Sequence, residues 1–140
     1  MSVNRIVGAS SDTATKIPVI IDCDPWHDDA IALMLAFGCG RLDVLGVTTV
    51  AGNTVGENAY RNALAVLSLI GADVPVARGA DAPILRPLYT SRDVHGESGL
   101  DGLPVPPGLK GGGLTAVEFL SETLRSSVTK ITLVPTGPLT

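Results

Sequence analysis

Five consecutive apolar residues, Ile17-Pro18-Val19-Ile20-Ile21, lead straight into four acids within eight residues, Asp22-Cys23-Asp24-Pro25-Trp26-His27-Asp28-Asp29. A continuous, mostly β-branched run reads as a strand buried on both faces, the habit of strands in parallel sheets. Asp28 to Phe37 then holds helix formers, with Gly38 and Gly40 as a stop. The pattern repeats. Leu42 to Val50 reads as a strand, and Thr54 to Ile70 as a helix with Leu64, Leu67 and Ile70 on one face, closed by Gly71. Val74 to Ala77 is a short strand, Leu114 to Leu124 a third helix and Ile131 to Val134 a fourth strand. The order βαβαβ–loop–αβ predicts an open, mostly parallel, Rossmann-like α/β sheet with flanking helices.

Residues 17–140 form one domain on this reading, and residues 1–16 a flexible, Ser/Thr-rich tail. Residues 79–112 hold five prolines (Pro83, Pro87, Pro104, Pro106, Pro107) and many glycines. Loops of that length are usually functional or disordered. The chain ends six residues after the fourth strand, at Pro135-Thr136-Gly137-Pro138-Leu139-Thr140. That segment reads as a strand-to-helix connection without its helix, so a truncated domain is expected.

Aromatic residues make up only 4% of the chain, which leaves Val, Leu, Ile and Ala to build the core. The net charge is −4 and no basic stripe appears, which argues against nucleic acid as a partner, since its phosphates need clustered Lys and Arg. Cys23 and Cys39 form no CxxC pair and read as reduced, packed thiols. The longest apolar stretch, Ala30 to Phe37, is far short of the ~20 residues a membrane span needs. The N-terminus lacks a secretory core, so a cytoplasmic location is expected.

The acids carry the chemistry. In open α/β sheets, ligands bind beyond the carboxyl ends of the strands, where these acids lie. Asp22 and Asp24 alternate with Cys23 and so point the same way. Asp28 and Asp29 fall in the first turn of a helix, whose free N–H groups favour negative charge. Helix capping alone is the bland explanation for them. Two carboxylates about 4 Å apart repel by ~4 kcal/mol at an effective dielectric of 20, whereas a helix terminus returns only ~0.3–1 kcal/mol each. A hard divalent cation offsets the difference, and oxygen ligands favour calcium or magnesium over zinc.

Asp-Cys-Asp-Pro-x-x-Asp-Asp-Ala after an apolar strand resembles the signature of the inosine–uridine-type nucleoside hydrolases. Three further segments match in order: Thr48-Thr49-Val50-Ala51-Gly52-Asn53, His95-Gly96-Glu97-Ser98-Gly99 and Leu133-Val134-Pro135-Thr136-Gly137-Pro138-Leu139-Thr140. The resemblance implies a calcium ion that holds a water and the ribose diol. Asp24 and Asp29 would be its side-chain ligands and Thr136 a backbone ligand. Asp24 would also be the general base. Asp28, Asn53 and His95 would bind substrate, with His95 near the nucleobase or the sugar and Asp22 in support. The implied reaction is hydrolysis of a ribonucleoside to ribose and free base, by a cytoplasmic homo-oligomer, dimer or tetramer.

Blander roles stay open: Asn53 as a turn residue, His95, Glu97 and Ser98 as surface groups, Thr136 as a cap. Trp26 stands where the family usually has glycine, so its indole either bends the loop, covers part of the sugar site or points away. Two alternatives accompany the hydrolase reading. One is a domain that binds metal or riboside without turnover. The other is a haloacid dehalogenase-type phosphatase, which also carries Asp-x-Asp after its first strand.

Overall fold

The computed structural model describes residues 15–91, 99–100, 103, 111 and 113–140. Most of the expected tail, and His95, Glu97 and Ser98, lie outside the described residues.

Strand β1 (Ile17–Cys23) is followed by helix α1 (His27–Gly38), β2 (Leu42–Thr49), α2 (Gly56–Leu69), β3 (Val76–Arg78), α3 (Ala116–Ser126) and β4 (Thr132–Pro135). Each element stands within two or three residues of its sequence expectation. The four strands make one sheet in the order β3-β2-β1-β4, and every pairing is parallel. The expected open parallel α/β sheet is therefore the fold.

Period-2 alternation splits β1 between two layers. Val19, Ile21 and Cys23 join Leu33 of α1 and Ala63 and Val66 of α2 in one core. Ile20 joins Ala77 and the α3 residues Ala116 and Phe119 in a smaller core on the opposite face. Small residues let the layers approach closely. A Cβ at Gly46 of β2 would meet Phe119 Cε1 at 2.9 Å. Helix α2 begins two residues later than the sequence pattern suggested, because Thr54 is buried and its hydroxyl accepts a hydrogen bond from Asn58 Nδ2 at 3.2 Å. It ends at Gly71, whose φ of +67° is the left-handed conformation that glycine adopts without strain.

The topology fixes where a ligand can sit. From β1 the chain steps outward to β2 and β3, then returns to the other side of β1 for β4. The connections at the carboxyl ends of β1 and β4 therefore diverge and leave a crevice between them. No helix among the described residues is long and apolar enough to cross a membrane.

Candidate active site in the β1–β4 crevice

Asp22 is the last acid still within β1, paired with Thr48 on one side and Pro135 on the other. Its Oδ1 accepts a 2.6 Å hydrogen bond from the Thr48 hydroxyl. Its carbonyl accepts from the backbone N–H groups of Thr136 (2.7 Å) and Gly137 (3.2 Å), and from the Thr136 hydroxyl (3.3 Å). Asp22 thus fastens β4's exit to β1 and turns its carboxylate toward β2.

Asp24 leaves the strand and is buried, at 2% exposure. Its Oδ2 accepts a 2.6 Å hydrogen bond from the backbone N–H of Asn53. Its own N–H donates to Asp29 Oδ2 at 3.2 Å. Asp29 is also buried, and the Thr136 side chain hydrogen-bonds it. Burial is the largest influence on Asp22, Asp24 and Asp29, and it raises all three pKa values above the ordinary carboxylate range. The donated hydrogen bonds pull the other way, and repulsion from neighbouring acids adds to the rise. Burial, with the same three acids beside it, pushes the Cys23 thiol well up, which keeps it protonated and inert.

Two glycines shape the space around Asp24. A Cβ at Gly52 would collide with Asp24 Oδ2 and meet the Pro138 ring at 2.8 Å. A Cβ at Gly137 would lie 3.1 Å from Asp24 Oδ1 and 2.8 Å from Val50 Cγ1. The carboxylate is accordingly held from both sides by backbone that only glycine permits.

The crevice opens into a cavity of about 930 Å³. Its lining includes Asp24, Gly52, Asn53, Thr136 and Gly137 and the segment Pro83–Tyr89. Of the residues singled out from sequence, Asp24, Asn53 and Thr136 thus line one cavity, with Asp29 accepting from the Asp24 N–H. Asp28 is exposed and is not a wall residue, although its charge acts on both Asp24 and Asp29. Trp26 is nowhere in the cavity. It is 2% exposed, and a Cβ at Gly99 would lie 2.8 Å from its indole Nε1.

The expected four-carboxylate cluster is smaller in three dimensions than in sequence. Among the described residues no three His, Cys, Asp or Glu side chains are placed to hold a metal together. Asp22 is taken up by Thr48 and Asp28 is exposed, which leaves Asp24 and Asp29 as the buried pair. That pair still suits a hard cation in kind: its donors are oxygens, they are buried, and among the described residues no Lys or Arg forms an ion pair with either acid. In number it falls short of the ~6–8 oxygens calcium takes.

Three features escaped the sequence reading: the Asn53 backbone N–H as Asp24's partner, the glycine cradle, and the Pro83–Tyr89 wall. The two glycines stand inside matched segments and were available as a signal. The wall was not, since nothing in its composition says what it faces. Thr48→Val tests the Asp22 anchor. Loss of the only side-chain donor, among the described residues, to a half-buried carboxylate is expected to cost about 1–3 kcal/mol, read from urea unfolding midpoints.

Residues 19–140 match the family model described as inosine-uridine preferring nucleoside hydrolase. A pyrimidine-specific ribonucleoside hydrolase, RihA, of Shewanella sp. (strain MR-7) is 50% identical over 125 residues, covering 88% of this chain and 39% of the relative. The chain spans about two-fifths of the length of the curated relatives it matches. Among solved structures, the plant nucleoside hydrolase PpNRh1 superposes with a TM-score of 0.82 at 35% identity, covering 89% of this chain and 40% of that one. A purine-preferring ribonucleoside hydrolase from Gardnerella vaginalis superposes with a TM-score of 0.78 at 29% identity, covering 86% and 40%.

Proposed function

The chain belongs to the inosine-uridine preferring nucleoside hydrolase family, and on that premise we propose that the full-length protein hydrolyses the N-glycosidic bond of ribonucleosides to ribose and free base. The observation that carries the reading is the buried Asp24, set in a glycine cradle, bonded to the Asn53 backbone and lining a cavity roomy enough for a nucleoside.

In the proposed reaction the C1′–N bond breaks and its electron pair leaves with the base. Water forms the new C1′–O bond and gives up a proton, and the base gains one. Asp24 takes the proton from water. Positive charge develops on the sugar, and the anionic ground around Asp24 and Asp29, with Asp28 nearby, stabilises it. The Asn53 side chain offers a donor and an acceptor, which suits a diol, with Asp28 as a second contact to the ribose hydroxyls. His95 completes the substrate contacts in the proposal.

Asp24, Asp29 and the Thr136 carbonyl would hold calcium, with further oxygens from water, substrate or the rest of the protein. Bound there, the ion would supply Lewis acidity and a template for oxygen ligands. Added calcium is expected to raise the melting temperature of the full-length protein by several degrees, and excess chelator to reverse it. An identical melt under both conditions removes the metal from the proposal. A homo-oligomer in the cytoplasm completes the picture and rests on the family resemblance alone.

Pyrimidine ribosides are the proposed substrates, because the relatives at about 50% identity are named pyrimidine-specific, whereas the purine-preferring neighbour is 29% identical. Ribose release from uridine, cytidine and inosine tests this directly. Uridine and cytidine are expected to be cleaved faster than inosine. Ribosides bound without any ribose release would favour the domain that binds without turnover. Turnover of p-nitrophenyl phosphate alone would restore the phosphatase alternative.

A further inference from the structure

The lining of the cavity carries charge of both signs. Arg86 lines the same cavity as Asp24 and is the one cationic side chain among its described lining residues. It is exposed, and among the described residues it makes neither a hydrogen bond nor an ion pair. Arg78 shows the alternative fate of an arginine in this protein, since it is spent on Glu57 and on Asp81, the latter at 2.8 Å. Among the described residues none uses Arg86 in that way.

The segment that carries it is tied to the site at both ends. Ala51 N–H donates to the Ala80 carbonyl at 2.8 Å, and Ser91 N–H donates to the Asn53 carbonyl at 2.9 Å. Residues 81–90 therefore leave from and return to the same turn, Ala51–Asn53, whose Asn53 N–H holds Asp24. Between these ties the chain presents Ile84 at 81%, Leu85 at 96% and Tyr89 at 78% exposure. Apolar side chains left that bare beside a cavity suit the flat face of a ring more than they suit water.

We propose that Arg86 contacts the departing nucleobase and stabilises the negative charge that builds on it as the C1′–N bond breaks. This rests on the hydrolase reading above and deepens it. The transition state separates charge, positive at the sugar and negative at the base. The cavity lining offers a group for each charge, the Asp24 carboxylate and the Arg86 guanidinium. As the bond's electron pair moves onto the ring, much of it resides on the ring carbonyl oxygen. A guanidinium donates charge-assisted hydrogen bonds to such an oxygen without giving up a proton. The proton that the free base finally carries comes from solvent.

The test compares Arg86→Gln with wild type in the full-length protein, on uridine and on p-nitrophenyl riboside, whose p-nitrophenolate departs without assistance. The kcat on uridine is expected to fall by about 10- to 100-fold, while p-nitrophenyl riboside cleavage stays near wild type. Arg86→Lys, which keeps the charge but not the fork, is expected to fall between the two. Equal loss on both substrates would make Arg86 structural and overturn the assignment, as would no loss on either. A loss confined to uridine 5′-monophosphate would reassign Arg86 to a phosphate and overturn it too. Wild type inactive on both ribosides would sink the hydrolase reading itself, and this assignment with it.

Discussion

Asp24→Asn is expected to lower kcat for ribonucleoside hydrolysis in the full-length protein by about 10²–10⁴-fold, the range a positioned general base contributes. The substitution is close to isosteric. An Asn side-chain oxygen still accepts the Asn53 N–H bond that Asp24 Oδ2 accepts at 2.6 Å, so the turn Ala51–Asn53 keeps its anchor. What disappears is the proton acceptor and, with it, one charged ligand of the proposed calcium. Burial already opposes the Asp24 charge, so removing that charge relieves a desolvation penalty. Measured in chelator, the melting temperature of Asp24→Asn is therefore expected to equal or exceed that of wild type. A fall in activity that merely tracked a fall in stability would assign Asp24 to the fold. Undiminished kcat with unchanged stability would remove it as base.

Trp26→Ala is expected to destabilise the protein by about 3–5 kcal/mol, among the largest effects of any single truncation here. Trp26 is the largest of the fully buried side chains. It occupies the N-cap of α1 with φ −121° and ψ −166°, extended backbone open to any residue, and its carbonyl accepts the first helical bond from Ala30 N–H at 2.7 Å. The conformational reason for a glycine at this position is therefore absent, and the indole fills space beneath Gly99 instead of covering the sugar site. Urea or thermal unfolding of the variant checks this. A change below ~1 kcal/mol would mean that the indole is not packed as described.

The order of elements was legible from the chain because each one announces itself locally. The unbroken run Ile17–Ile21 states a doubly buried strand, and Gly71 states a helix end. The acids after β1 were equally plain, but their number misled. In sequence Asp22 and Asp24 look equivalent, two residues apart on one side of a strand. In the fold they part, because β1 ends at Cys23. Asp22 stays in register with Thr48 and takes its hydroxyl, while Asp24 turns toward Asn53. Four charges set against helix capping alone call for a cation. In the folded protein the backbone amides of Asp24 and Asn53 and the Thr48 and Thr136 hydroxyls also stabilise these carboxylates. Thr48, Asn53 and Thr136 lie far from the acids in sequence, and no local pattern reveals them as donors. The Pro83–Tyr89 wall was hidden for the same reason. A proline-interrupted coil carries no periodicity, and its position is set by hydrogen bonds to Ala51 and Asn53.

The Asp22 carbonyl, shared by the Thr136 and Gly137 amides, makes the spacing between the two sides of the site a property of strand alignment. Neighbouring residues along a parallel strand are ~3.3 Å apart. If β4 slipped by one position against β1, Thr136 would move by more than the length of a hydrogen bond, and the Gly137 cradle would leave Asp24. Substitutions at Leu133 or Val134 that let β4 slide would then read out as active-site lesions, though neither residue faces the cavity. In this architecture the tolerance of the chemistry is machined into the sheet.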